Sequence, residues 1–141
     1  MIDSIINEVD KALKVLTVSS YPGRSRPDAN FKDSDTLTPK ERENHSKFMR
    51  VNHSGEICAQ ALYRGQIFFN QNKKIEKKLK EAATEELDHL AWCQSRIKEL
   101  GGSTSYINPI LYLGSFAIGS VASIIDEKYN LGFLSETEKQ V

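Results

Sequence analysis

The sequence predicts an all-α fold, and three observations carry it: apolar residues recurring at helical spacing, a helix start at Thr38, and a glycine stop after Leu100. Met1 to Leu16 places Ile2, Ile5, Ile6, Val9, Leu13 and Leu16 three and four residues apart, with most of its charges elsewhere, which predicts an amphipathic helix. Such a face serves equally for packing on a core and for docking to a membrane or partner. Thr17 to Leu37 turns to Ser, Pro, Gly, Asp and Arg without periodicity and reads as a loop. Thr38-Pro39-Lys40-Glu41 then supplies a capping box with proline at the first helical position, where a missing N–H costs nothing. The helix it starts runs to about Asn70, unbroken or kinked near Asn52 to Gly55, and carries Phe48, Met49, Val51, Ile57, Ala61, Leu62, Phe68 and Phe69. After a turn at Asn70 to Asn72, Lys73 to Leu100 resumes as a long charged helix that ends at Gly101-Gly102. The two long helices are expected to lie antiparallel.

Glu99 and Asp126 enclose a stretch without a single formal charge, and its part from Tyr106 to Ile125 is long enough to approach a membrane span. Asn108, Pro109, three serines and two glycines make it poor for that purpose beside a leucine-rich helix. A buried helix or hairpin, a surface dipping into a bilayer interface, and a true span all fit the pattern. Leu134 to Val141 looks helical again, with Ser135 as a cap.

At 141 residues the chain is large enough for one domain with a substantial core. Lys and Arg together number 19, as do Asp and Glu, so no global field draws the protein to nucleic acid or anionic lipid. Glycine-rich phosphate loops and basic-aromatic patches are missing, which further disfavours nucleotide and nucleic-acid binding. Cys58 and Cys93 form no paired motif and suit a reducing, cytosolic compartment. The first residues lack the uninterrupted apolar run of a secretion signal.

Chemistry concentrates in a few carboxylates and one histidine. Glu86-Leu87-Asp88-His89 is a Glu-x-x-His motif, and three residues on a helix put both side chains on nearly one face. A carboxylate oxygen and an imidazole nitrogen at that spacing suit iron or manganese, although a solvated ion pair has the same spacing. His45 and His53 carry Arg42 and Arg50 at the corresponding offset, so His89 alone qualifies. Glu56 sits among Ala59, Ala61 and Gly65, small enough to let another helix or a metal cluster approach; an ordinary surface glutamate fits too. Glu138, or Glu136, is a third carboxylate candidate.

Met49-Arg50-Val51-Asn52-His53-Ser54-Gly55-Glu56 with Cys58-Ala59-Gln60-Ala61-Leu62-Tyr63-Arg64-Gly65-Gln66 resembles the long signature of the demethoxyubiquinone hydroxylase family. Glu85-Glu86-Leu87-Asp88-His89-Leu90-Ala91-Trp92-Cys93, Asn108-Pro109 with Tyr112 to Gly119, and Leu131-Gly132-Phe133 leading into Glu136 to Val141 follow in that family's order. The resemblance spans the chain from about Thr38 onward. It implies a ferritin-like four-helix bundle with an extra N-terminal amphipathic helix, in one domain made of the helix 1–16, the loop 17–37 and a partial bundle 38–141. By position, Glu56, Glu86 and His89 match the family's first three metal ligands, and spacing favours Glu138 over Glu136 as the fourth. A further helix with a second Glu-x-x-His is expected after Val141, so the chain reads either as a piece of a longer protein or as a form lacking the last ligands.

The resemblance further implies two ferrous ions as cofactor, demethoxyubiquinol and dioxygen as substrates, and a monooxygenase of ubiquinone biosynthesis on the cytoplasmic side of the cell membrane. The uncharged stretch becomes the surface for peripheral membrane contact, and a homo-oligomer or biosynthetic complex is compatible with it. Metal storage, peroxide scavenging, or a non-enzymatic role as a helical assembly partner are the alternatives.

Overall fold

A computed structural model describes residues 1–17, 23–28, 30, 36–125 and 136. Within them four helices follow one another: α1 (Ile2–Thr17), α2 (Pro39–Phe69), α3 (Lys73–Glu99) and α4 (Asn108–Ile125). There is no strand among the described residues, and the helices pack on one another as a ferritin-like bundle would.

Local chemistry sets each boundary. Thr38 Oγ1 accepts from the Glu41 N–H while Glu41 Oε2 accepts from the Thr38 N–H at 2.9 Å, so the expected capping box forms. α2 continues as helix through Asn52 to Gly55, without an interruption there. Asn70 ends it and Asn72 starts α3, the Asn72 side chain accepting from the Lys74 and Ile75 N–H groups at 2.9 and 3.3 Å. Gly101 takes the left-handed conformation (φ +75°) and the Gly102 N–H donates to the Ile97 carbonyl at 2.9 Å, closing α3.

The α2–α3 interface buries Ala59, Tyr63, Ile75, Leu79, Ala82 and Ala83. On its other side, α2 meets α4 at very close range. A Cβ on Gly65 would strike the backbone of Phe116 and Ser120, and one on Gly119 would strike that of Leu62 and Gln66. The two glycines thus let the helix backbones touch. Asn108 anchors the start of α4, accepting from Ser54 Oγ at 2.8 Å and lying 3.3 Å from His53 Nδ1.

The uncharged stretch forms one helix, not a hairpin. Only Asn108, Tyr112, Gly119, Ser120 and Ala122 of α4 are buried; Ile110 and Leu113 are 72% and 70% exposed, and Ile118, Val121, Ile124 and Ile125 also face outward. By length and composition α4 could cross a membrane. In α1 the apolar face is likewise turned out: Ile2, Ile5, Ile6, Val9 and Leu13 are exposed, while Ala12, Val15 and Leu16 pack against the core and Glu8 pairs with Arg64. The stretch read as a loop is partly docked, since residues 23–28 lie along α3. The helix expected from Leu134 onward lies outside the described residues apart from Glu136.

Candidate metal centre

Glu56 on α2 and Glu86 on α3 are both buried, at 6% and 5% exposure, in a helix pair whose packed cluster is Ala59, Tyr63, Ile75, Leu79, Ala82 and Ala83. A glutamate is rarely tolerated there without a partner, because an ionised carboxylate loses its hydration. His89, one turn beyond Glu86, is partly exposed and places Nδ1 3.1 Å from Glu86 Oε2. Each of the three residues offers a ligand atom, and these atoms lie within 4.8 Å of one another. The face-sharing expected from Glu-x-x-His therefore meets Glu56 from the adjacent helix. Glu85 is exposed, which favours Glu86 as the inward carboxylate.

Burial first, and then the hydrogen bond to Glu86 and its charge, push the Glu56 carboxyl up to about 9. Burial beside Glu86 thus favours the neutral form of Glu56 in the metal-free protein, and its Oε2 is buried without a hydrogen-bond partner. A divalent cation would relieve both conditions by replacing the proton and using the idle oxygen. Two carboxylates and one imidazole form a donor set that suits iron or manganese, so the residues fit such a metal. Nearby, burial and the Glu56 charge raise the Cys93 thiol to about 11, which keeps it protonated.

A cleft of about 360 Å³ leads to the cluster and is lined by Glu56, His89, Met49, Trp92, Cys93 and Arg96, with Arg26 and Asp28 at its edge. A larger hollow of about 600 Å³ lies among Lys73, Glu76, Lys80 and Glu81 and includes none of the three residues. Glu138 lies outside the described residues, and Glu136 is exposed. His53 is buried against Asn108, its pKa lowered by desolvation.

Sequence reasoning missed the surroundings of His89. Asp88 accepts from the Gly23 N–H at 2.6 Å and from Arg24 Nε at 2.7 Å, contacts across more than sixty residues of chain. An available signal was the spacing of Asp88, Trp92, Ser95 and Glu99, which sets them along one face of α3.

The family model for ubiquinone biosynthesis protein COQ7 matches residues 43–141, most of the chain and all three clustered residues. The chain belongs to the COQ7 family. Among similar proteins, the 3-demethoxyubiquinol 3-hydroxylase of Chromobacterium violaceum is 46% identical over 141 residues, 100% of this chain and 68% of the relative. That of Polynucleobacter necessarius is 46% identical over 140 residues, covering 99% of this chain and 67% of the relative. That of Bordetella avium is 48% identical over 140 residues, 99% of this chain and 64% of the relative. The chain thus spans roughly two thirds of the length of these curated relatives. No solved structure matches it.

Proposed function

We propose that this chain is a hydroxylase of ubiquinone biosynthesis that acts on demethoxyubiquinol, with iron held by Glu56, Glu86 and His89. The observation that carries the reading is the convergence of those three side chains around a buried, neutral carboxyl in a member of the COQ7 family. Glu138, expected as a further ligand, belongs to the same proposal.

In hydroxylation of a quinol ring one atom of dioxygen enters the ring as a hydroxyl and the other leaves as water, which takes two electrons and two protons from an external reductant. A pair of ferrous ions, when bound, supplies the redox chemistry that makes dioxygen reactive. The chain's own residues do the rest. Glu56 would give up its proton when a metal binds and hold the metal as an anionic carboxylate, beside Glu86 and His89, whose Oε2 and Nδ1 atoms lie 3.1 Å apart. Both carboxylates are buried between α2 and α3, so bulk water meets them through the cleft beside His89.

A quinol with a long apolar tail resides in lipid, and the outward faces of α1 and α4 suit that setting. Ile5, Val9, Phe68, Phe69, Leu113 and Phe116 line a groove of about 270 Å³ between these helices and the end of α2. Its walls are almost wholly apolar side chains, as an isoprenoid tail needs. The protein is read as peripheral, resting on the cytoplasmic face of the membrane through this surface.

The test is turnover. The intact protein, loaded anaerobically with ferrous iron and given a reductant, dioxygen and demethoxyubiquinol in vesicles, should yield the ring-hydroxylated quinol by mass spectrometry. Stoichiometric iron with no oxygen incorporated would favour a storage role, and no iron at all would end the metal reading.

A further inference from the structure

Residues 23–28 run along the α3 face that carries Asp88, Trp92, Ser95 and Glu99. Asp88 accepts from the Gly23 N–H at 2.6 Å and from Arg24 Nε at 2.7 Å. The Trp92 indole N–H donates to the Arg24 carbonyl at 3.2 Å, and the Arg24 guanidinium lies 5.6 Å from the centre of its ring. Arg26 grips both carboxylate oxygens of Glu99, at 2.6 and 3.1 Å. A segment with no regular structure is thus pinned to α3 at both ends.

His89 lies beside that stripe, its ring 5.3 Å from the Trp92 ring and tilted by 40°. Unlike Glu56 and Glu86, it is 35% exposed at the side chain, so the core does not by itself fix its rotamer. Trp92 is the ring against which it rests, and Arg24 meets Trp92 twice: its backbone carbonyl accepts the indole N–H at the ring edge, and its guanidinium lies over the ring face. Asp88, the residue before His89, is tied to the same arginine.

We propose that Arg24 is a positioning residue for His89: by fixing Asp88 and the Trp92 indole it keeps the imidazole in the orientation it shares with Glu56 and Glu86. The inference rests on the reading of those three residues as metal ligands. It does not depend on Arg24 for folding, because α3 is held to α2 by the buried Ala59, Tyr63, Leu79 and Ala83 cluster, which residues 23–28 do not join. A support of this kind, one step removed from the ligand, typically changes metal affinity by about 10- to 100-fold when lost.

Trp92 is the chain's single tryptophan, so its fluorescence reports the contact directly. The experiment compares the intact metal-free protein with Arg24→Gln, Arg24→Lys, Trp92→Leu and Glu56→Gln. It measures the time-resolved anisotropy of Trp92 where present, Co2+ affinity with the ligand-field spectrum, and the thermal midpoint without metal. Arg24→Gln, which removes the guanidinium from the ring face and from Asp88 but keeps the carbonyl that accepts the indole N–H, should loosen the indole, weaken Co2+ binding by about 10-fold and change the spectrum, with the midpoint within about 2 °C of the parent. Trp92→Leu should weaken binding similarly, and Arg24→Lys, which keeps the cation, should restore most of it. Unchanged Co2+ binding in Arg24→Gln while Glu56→Gln loses it would overturn the proposal and leave the metal site standing. A midpoint that falls in step with affinity, without rescue by lysine, would overturn it in favour of a merely structural clasp. Binding unaffected even by Glu56→Gln would bring down the metal site and this inference together.

Discussion

The α2–α3 pair and the α1–α4 pair distribute polarity in opposite senses. Between α2 and α3 the interior holds Glu56, Gln60 and Glu86, groups that usually face water. Along α1 and α4 the surface holds Ile2, Ile6, Ile110, Leu113 and Ile124, groups that usually avoid it. Either inversion costs free energy in an isolated soluble chain, through dehydrated carboxyls in one case and an exposed apolar patch in the other. A metal ion in the first region and a lipid surface in the second would offset both costs, and the proposed function supplies both.

The buried region breaks most completely when a ligand is lost. Glu56→Ala and His89→Ala should each abolish stoichiometric iron and lower turnover by at least ~100-fold, a larger loss than removal of a supporting residue causes. Metal analysis with a turnover assay on the intact protein checks this, and iron retained in both variants would remove these residues from the site. The seam between the regions is the next most sensitive place. Gly65→Val would drive a side chain into the Phe116 and Ser120 backbone, which cannot move aside as a side-chain tip can. The expected destabilisation is about 3 kcal/mol or more by denaturant titration, at the upper end for overpacking. A loss below ~1 kcal/mol would mean that α4 stands off from α2.

The seam also marks how far the sequence could be read. Helix limits were legible because they rest on local chemistry, the Thr38–Glu41 box, the Asn70 to Asn72 turn and the Gly101 stop, each of which occupies a few adjacent residues. The small side chains around Glu56 announced a close neighbour, and Glu86 and His89 announced a shared face. Which helix would approach Gly65 could not be read, since that depends on Gly119 more than fifty residues later. The outward turn of α1 was illegible for a similar reason: periodicity finds an apolar face but not its direction, which here follows from Glu8 reaching Arg64 on the inner side. Arg24 and Arg26 lay in a stretch without periodicity, so although Asp88 and Glu99 share a face of α3 in the sequence pattern, their pairing with these arginines becomes visible only in three dimensions.

The outward region is probed by charge. Leu113→Glu combined with Ile110→Glu should lower partitioning to liposomes by about 2 kcal/mol, the scale for returning one or two aliphatic side chains to water, or roughly 30-fold. Stability in solution should change by less than ~0.5 kcal/mol, because both side chains are exposed already. Co-sedimentation with neutral vesicles measures the first and denaturant titration the second. Equal partitioning would detach α4 from the membrane and leave its apolar face to a protein partner.

A final comparison tests the buried carboxyl without disturbing its shape. The Glu56 carboxyl sits at about 9 in the folded, metal-free protein against an ordinary 4.5, so the folded state retains a proton that the unfolded chain has released. With more protons on the folded side, stability falls as pH rises, and one such group gives a slope of at most about 1.4 kcal/mol per pH unit. The clean window is pH 7 to 9. Below it His53, whose pKa is lowered by burial, adds loss of stability in the acid direction; above it Cys93, raised to about 11 from 9.0, adds loss in the alkaline direction. Within the window metal-free Glu56→Gln should show a flatter pH dependence than the parent and be the more stable of the two at pH 8. Parallel curves would mean that Glu56 is already ionised in the folded state, and then the contrast between a neutral buried carboxyl and an outward apolar face would have to be redrawn.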